Sequence, residues 1–202
     1  AVKDITEGCG EIGIKFLTLY AFSTENWGRP KEEIDGLMEL LVNTLQKEIS
    51  TLHENQVRLL TIGGIDHLPM VCQKNLMEAK EATKNNNGLT LLLALNYSGR
   101  WELVQAAKKM ARDIKSGTIA LEDINENGFA GYLDTAGIPD PELLIRTSGE
   151  IRISNFLLWQ MAYSELYFTK TLWPDFRRED LYEAICEYQK RERRFGVLTT
   201  TA

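Results

Sequence analysis

Apolar and polar positions alternate along the chain in two different periods, and that alternation is the first signal of its fold. Residues 14–22 (IKFLTLYAF) are rich in β-formers and stop at a polar segment, which predicts a buried strand. Across residues 32–54 apolar side chains return at Ile34, Leu37, Met38, Leu41, Val42, Leu45, Ile49 and Leu52. This is the period of a helix with one apolar face. Residues 57–62 predict a second strand. Gly63, Gly64 and Pro69 then interrupt the chain ahead of a polar helix that runs to about Lys84. After a turn at 85–88, residues 89–96 (LTLLLALN) are apolar without alternation, as expected of a strand covered on both faces.

The remainder predicts a helix over 99–115, a shorter one over 121–135 and a short strand over 143–146. A helical stretch over 156–162, a last strand over 166–168 and a closing helix over 178–194 follow. The first residues, 1–14, read as the last turns of a helix with no cap before it, so the chain is expected to begin within a domain. Strands alternating with helices, several of them continuously apolar, predict the α/β class: one domain over 1–202, with a mostly parallel central sheet flanked by helices.

Composition narrows the function classes. With 23 Lys+Arg against 29 Asp+Glu the net charge is −6, which argues against a dedicated nucleic-acid binder. The longest apolar run, at 91–95, is far short of the roughly 20 residues that a membrane-spanning helix needs. Cys9, Cys72 and Cys186 are odd in number and far apart. They fit neither a disulfide framework nor a CxxC metal site, and are expected as small side chains in or near the core of a cytoplasmic protein. His53 and His67 lie in no HExxH or nucleophile–base context and are expected at the surface. No GxGxxG or GxxxxGK[ST] occurs, so nucleotide-binding fingerprints are missing.

Three polar segments follow strands, where ligands bind in open parallel sheets: 23–29, 96–100 and 146–155. The last gathers Arg146, Arg152, Ser148, Ser154 and Gly149. Arginine's planar fork suits phosphate oxygens, serine adds short donors and glycine admits the backbone, so a diphosphate would satisfy the set. The alternative pairs Arg146 and Arg152 with Glu142 and Glu150 at a solvated turn. In the first segment, Asn26, Trp27 and Arg29 could close over an apolar, charged ligand, or Trp27 could fill a gap with Arg29 in solvent. Glu165, among Tyr163, Leu166, Tyr167 and Phe168, needs an arginine or a hard cation if it is buried. The basic run at 190–194 reads as a helix end whose cations face the negative pole of the dipole.

Four motifs occur in order: FSTENWGRP at 22–30, NYSGR at 96–100, RTSGEIRISNFLLWQ at 146–160, and ELYF at 165–168 with WPDF at 173–176. They continue through RERRFG at 191–196. Together they resemble the cis-prenyltransferase family across essentially the whole chain. The resemblance implies a Mg²⁺-dependent transferase that condenses isopentenyl diphosphate onto an allylic diphosphate such as farnesyl diphosphate. The product would be a long-chain polyprenyl diphosphate, expected to be undecaprenyl diphosphate for the cell-wall carrier lipid. It also implies a cytoplasmic homodimer, with transient membrane contact for product release.

Carried over by residue, Arg146, Arg152, Ser154 and the backbone of Ile153 would hold the isopentenyl diphosphate headgroup, and Glu165 would help bind Mg²⁺. Ser23, Thr24, Glu25, Trp27 and Arg29 would form a loop closing over substrates. Asn26 occupies the position assigned to proton removal. A neutral amide is a poor base, so Asn26 is expected to orient the isopentenyl unit while a diphosphate oxygen takes the proton. The growing tail would fill a hydrophobic tunnel between the helix carrying Leu37, Leu41 and Leu45 and the strand 89–95. One family segment, Asp-Gly-Asn-Gly-Arg-Trp, does not occur here. It is expected upstream of Ala1. The alternative is a non-catalytic homologue acting as the partner subunit of a prenyltransferase.

Overall fold

A computed structural model describes residues 1–192 of the chain. The chain divides into two compact units, one of Cys9–Ile138 and one of Ala1–Gly8 with Pro139 onward. Helix α1 (Val2–Glu11) opens the chain.

The larger unit is built on strands β1 (Phe16–Ser23), β2 (Arg58–Ile62) and β3 (Thr90–Tyr97), all parallel, in the order β1-β3-β2. As the middle strand, β3 is buried at every position, which explains its unbroken apolar run. Helix α2 (Lys31–Glu54) buries Ile34, Met38, Val42 and Leu45, one stripe at helical spacing. Helix α3 (Met70–Thr83) packs against α2 and β2, burying Cys72, Leu76 and Ala79. Helix α4 (Gly99–Ser116) starts directly after β3.

Two predicted elements of this unit take another form. The helix expected over 121–135 is a 3₁₀ turn, Leu121–Asp123, followed by the short helix α5 (Glu126–Ala130). Asn125 breaks it: its side chain accepts from the Gly128 N–H at 2.9 Å and so caps a new helix instead of continuing the old one. The stretch expected as a loop at 23–30 contains a 3₁₀ turn, Thr24–Gly28.

In the smaller unit, β4 (Leu143–Arg146) and β5 (Glu165–Phe168) form a parallel pair, and α6 (Arg178–Gln189) follows. Arg178 ties the two ends of this unit together, its Nε meeting Asp4 Oδ1 at 2.7 Å and its backbone N–H meeting Oδ2 at 2.9 Å. Residues 156–162, expected to be helical, are a series of turns. Ser154, Asn155 and Leu157 have φ of +51°, +59° and +44°, and a right-handed helix cannot propagate through left-handed residues. The apolar spacing there reflects the burial of Phe156 and Leu157, with no helix beneath it. Cys9 and Cys72 are buried thiols as expected, whereas Cys186, expected in or near the core, is exposed on α6. Helix α6 ends at Gln189, and Arg193 and Arg194 of the predicted helix lie outside the described residues.

Candidate functional site

The functional segment of the larger unit begins where β1 loses its regular register against β3, between Tyr20 and Ser23. Such an irregularity re-aims the chain at the end of a strand. Ser23 ends opposite Tyr97, so residues 24–29 start beside the carboxyl end of β3. The 3₁₀ turn then closes on itself. Asn26 Oδ1 accepts from the Ser23 backbone N–H at 2.8 Å, which commits that oxygen to shaping the turn. Thr24 Oγ1 donates to Glu25 Oε2 at 3.2 Å, and Arg29 pairs with Glu33 one helical turn on, at 2.6 Å.

Trp27 is 39% exposed. Its ring meets Phe22 edge-on at a centroid distance of 5.1 Å, and its Nε1–H donates to Asn96 Oδ1 at 2.7 Å. This bond ties Trp27 to the end of β3, a contact that neither a free lid nor a gap-filling ring requires. Thr24, Trp27, His67, Asn96 and Trp101 line a cavity of about 420 Å³. They lie at or just beyond the carboxyl ends of β1, β2 and β3, where an open parallel sheet presents its ligands. His67 is exposed as expected and stands beside Asp66, 2.9 Å away, yet it also faces this cavity.

Beneath the cavity the strand ends are locked by buried polar groups. Gly63, with φ +108°, passes so close to β3 that a Cβ would sit 2.1 Å from the Leu95 carbonyl oxygen. Only glycine fits there. Its N–H donates to Asp134 Oδ2 at 3.0 Å, and the Asp134 N–H donates to Glu102 Oε1 at 3.0 Å. Glu102 is buried and its other oxygen accepts from the Tyr97 hydroxyl at 2.6 Å. Burial, with the Glu102 charge adding to it, drives the Tyr97 phenol far above its usual range, so Tyr97 stays a donor. Tyr20 donates to the Tyr97 carbonyl at 3.1 Å, and burial first, then Glu25, pushes its hydroxyl up to about 12.

In the smaller unit, the segment after β4 is pinned through its backbone. Ser148 N–H donates to the Thr171 carbonyl and Gly149 N–H to that of Thr169, each at 2.8 Å. Ser148 and Gly149 adopt φ of +70° and +69° to do so. Two of the backbone donors expected for an anion are therefore already engaged. Arg146 ends β4 with its guanidinium Nε buried and lacking a hydrogen-bond partner among the described residues. Arg152 is exposed and forms an ion pair with Glu150, as the solvated-turn alternative expected of it. Arg146 does not follow that alternative: Glu142 instead accepts from the Tyr188 hydroxyl at 3.2 Å. Ile153 and Ser154 are half-buried on the left-handed turn that leads to Phe156.

Glu165 meets an arginine, as the residues alone suggested: Arg191 Nη1 lies 2.8 Å from its Oε2 and also donates to the Leu166 carbonyl at 3.0 Å. In the parallel register Glu165 stands opposite Leu143, at the amino end of the pair, whereas Arg146 ends it. That offset is about 10 Å along the strands. The pair therefore does not bring Glu165 beside Arg146. Among the described residues no three His, Cys, Asp or Glu side chains gather as a metal site. A single carboxylate still suits Mg²⁺, which keeps several waters and takes further oxygens from substrate phosphates.

Of the cavity residues, Asn96 opens the polar segment expected at 96–100, whereas His67 was expected only at the surface and Trp101 only within a helix. An asparagine closing an otherwise apolar strand was the one available signal for Asn96.

A family model described as undecaprenyl diphosphate synthase matches residues 1–196. The chain is 55% identical to an isoprenyl transferase of Clostridium tetani, over 96% of this chain and 76% of that protein. It is 54% identical to a (2E,6E)-farnesyl-diphosphate-specific ditrans,polycis-undecaprenyl-diphosphate synthase of Micrococcus luteus, over 98% of this chain and 79% of the relative. Lavandulyl diphosphate synthase of Lavandula x intermedia, solved in complex with dimethylallyl diphosphate, superposes with a TM-score of 0.94. It is 38% identical, and the match covers 96% of this chain and 84% of that one. On its motifs, its parallel α/β architecture and these matches, the chain belongs to the undecaprenyl diphosphate synthase family of prenyltransferases.

Proposed function

We propose that this chain elongates cis-prenyl diphosphates, condensing isopentenyl diphosphate onto an allylic diphosphate, with farnesyl diphosphate as the starter and undecaprenyl diphosphate as the product. The observation that carries the reading is the guanidinium of Arg146. Among the described residues its buried Nε has no partner at the carboxyl end of β4, which opens a segment holding Arg152, Ile153 and Ser154. A buried donor without an acceptor is costly unless a ligand supplies one, and a diphosphate supplies several acceptors.

In this reading Arg146, Arg152, Ser154 and the Ile153 backbone hold the isopentenyl diphosphate headgroup. Arg152 exchanges its exposed Glu150 partner for a phosphate oxygen. Residues 23–29 close over the substrates, with Trp27 excluding water. The allylic C–O bond breaks and its electrons leave with the diphosphate. The isopentenyl double bond attacks the allylic carbon, and loss of a proton on one face sets the cis double bond. Asn26 Oδ1 is engaged within the turn, so its role is to hold the loop and orient the isopentenyl unit, and a diphosphate oxygen accepts the proton. Fixed donors in a dry site stabilise the charge that develops on the departing group.

Mg²⁺ would be held by Glu165 through the oxygen that Arg191 leaves available, and when bound it neutralises diphosphate charge. The tail is assigned to the space between β3 and the α2 face carrying Leu37, Leu41 and Leu45. Each buried methylene there favours elongation by about 0.8 kcal/mol until the space is full.

A cytoplasmic homodimer completes the reading, and apolar surface supports it: Tyr163, Leu166 and Phe168 lie exposed at and next to β5. Sedimentation of the full-length protein tests that part. The function is tested by incubating full-length protein with farnesyl diphosphate, labelled isopentenyl diphosphate and Mg²⁺ and sizing the product. Label in a long polyprenyl diphosphate is the expected result. Absence of any condensation product overturns the assignment.

A further inference from the structure

We propose that Asn96 is a positioning residue that latches Trp27, its side-chain amide joining the indole N–H to the Gly64 carbonyl and so fixing the loop 23–29. The inference rests on the reading that this loop closes over substrate, but the latch itself is a property of the ligand-free chain.

The chemistry of the three groups requires an amide between them. An indole nitrogen only donates and a backbone carbonyl only accepts. The residue between them must therefore accept at one atom and donate at another. Asn96 does both: Oδ1 receives the Trp27 N–H at 2.7 Å and Nδ2 donates to Gly64 O at 2.9 Å. The reverse orientation would set NH₂ against N–H and oxygen against oxygen, so the amide has one satisfactory placement. The Asn96 backbone carbonyl also accepts from the Gly64 N–H, at 3.2 Å, giving a double link to that glycine.

Backbone geometry supports the same conclusion. Asn96 has φ +47°, a left-handed conformation that is uncommon outside glycine and that asparagine tolerates better than most residues. Such a conformation persists only where the surroundings impose it. They do so here: Asn96 is 8% exposed, and its neighbour Tyr97 is tied to Glu102 and Tyr20. Gly64 is part of the device, because a Cβ there would lie 2.8 Å from Asn96 Nδ2. The anchor is rigid and the latched group is not, since Trp27 is too exposed for burial alone to place it. One hydrogen bond of this kind can hold the loop in its closed population and still release it.

The test uses full-length, ligand-free protein. Loss of one indole N–H signal in Trp27→Phe assigns the Trp27 resonance. We expect Asn96→Ala to speed solvent exchange of the Trp27 N–H about tenfold while the β3 amides keep their protection. A Trp27 N–H that already exchanges freely in the wild type overturns the latch, whether or not the protein makes prenyl chains. Kinetics then test its purpose. Trp27→Phe and Asn96→Ala should each raise KM for the allylic substrate about tenfold, more than they lower kcat, because only the closed fraction binds. The double variant should be no worse than Asn96→Ala alone. Effects that multiply, or a normal KM in Trp27→Phe, overturn the positioning role. Should Asn96→Ala not fold, Trp27→Phe leaves the Asn96–Gly64 link intact and decides the matter by the same KM. An assay with no condensation in the wild type would count against the proposed function and leave the exchange result standing.

Discussion

The segments that follow β1 and β4 are both polar and both leave the carboxyl end of a parallel strand, but they are held by different physics. At the centre of residues 23–29 are two neutral hydrogen bonds of fixed geometry, Asn26 to its own turn and Trp27 to Asn96 on a strand buried at every position, with the Arg29–Glu33 pair exposed at the segment's end. Residues 146–155 have a backbone tied to Thr169 and Thr171, while Arg152 sits in an exposed pair with Glu150 that can open. Exposed ion pairs of this type contribute about 0–1 kcal/mol. A ligand phosphate displaces such a partner at little cost, whereas the first segment moves only by breaking a directional bond. One region is set by shape and the other is prepared to exchange charge.

The largest effect is expected where shape is most demanding. Gly63→Ala places a methyl against the Leu95 carbonyl and strains a left-handed residue. It should cost at least about 3 kcal/mol of stability, a fall in Tm on the order of 10 °C by calorimetry. A Tm within a degree of wild type would show that the strand ends are not rigid. Arg152→Ala tests the other region. It should weaken isopentenyl diphosphate binding about 30-fold, equivalent to about 2 kcal/mol, with stability unchanged within about 0.5 kcal/mol. Titration calorimetry reads the first and thermal unfolding the second, and equal affinities would remove Arg152 from the headgroup site.

Glu165→Gln should raise the Mg²⁺ concentration for half-maximal turnover about tenfold. A metal titration that overlays the wild type would leave Glu165 as the partner of Arg191 alone. The smallest effect is a pH dependence. Hydrogen bonds from Arg178 hold the Asp4 carboxyl below its ordinary 3.8. Because the folded value is depressed, its contribution to stability is present above the unfolded pKa and is lost as pH falls through the folded one. Asp4→Asn should therefore lower the unfolding midpoint at neutral pH, and the deficit should vanish in strong acid. A deficit that stays constant with pH would show that the ion pair does not act through charge.

How much was legible beforehand follows from the range of each interaction. The helix over 31–54 and the strands at 58–62 and 143–146 were readable because their periodicity is local. Arg146 and Arg152 stood out because guanidinium chemistry is written in residue type. The turns at 156–162 are not legible in the sequence because apolar spacing reports burial, and the left-handed backbone at Ser154, Asn155 and Leu157 leaves no trace in hydropathy. Trp27 and Asn96 each drew attention separately, yet nothing local joins residues 69 positions apart.

By itself, then, the chain's sequence determined its α/β class, the faces that its main helix and central strand bury, and the family motifs that mark it as a prenyltransferase. These depend on hydrophobic period and side-chain chemistry, which act over a few residues. Only the tertiary structure decided which donors meet which acceptors. The β1–β3 register brings Trp27 to Asn96, the fold around β5 gives Glu165 to Arg191, and the end of β4 leaves Arg146 Nε without a partner among the described residues. Hydrogen bonds need their two atoms within about 3 Å and in line, and that condition is set by how strands from distant parts of the chain align.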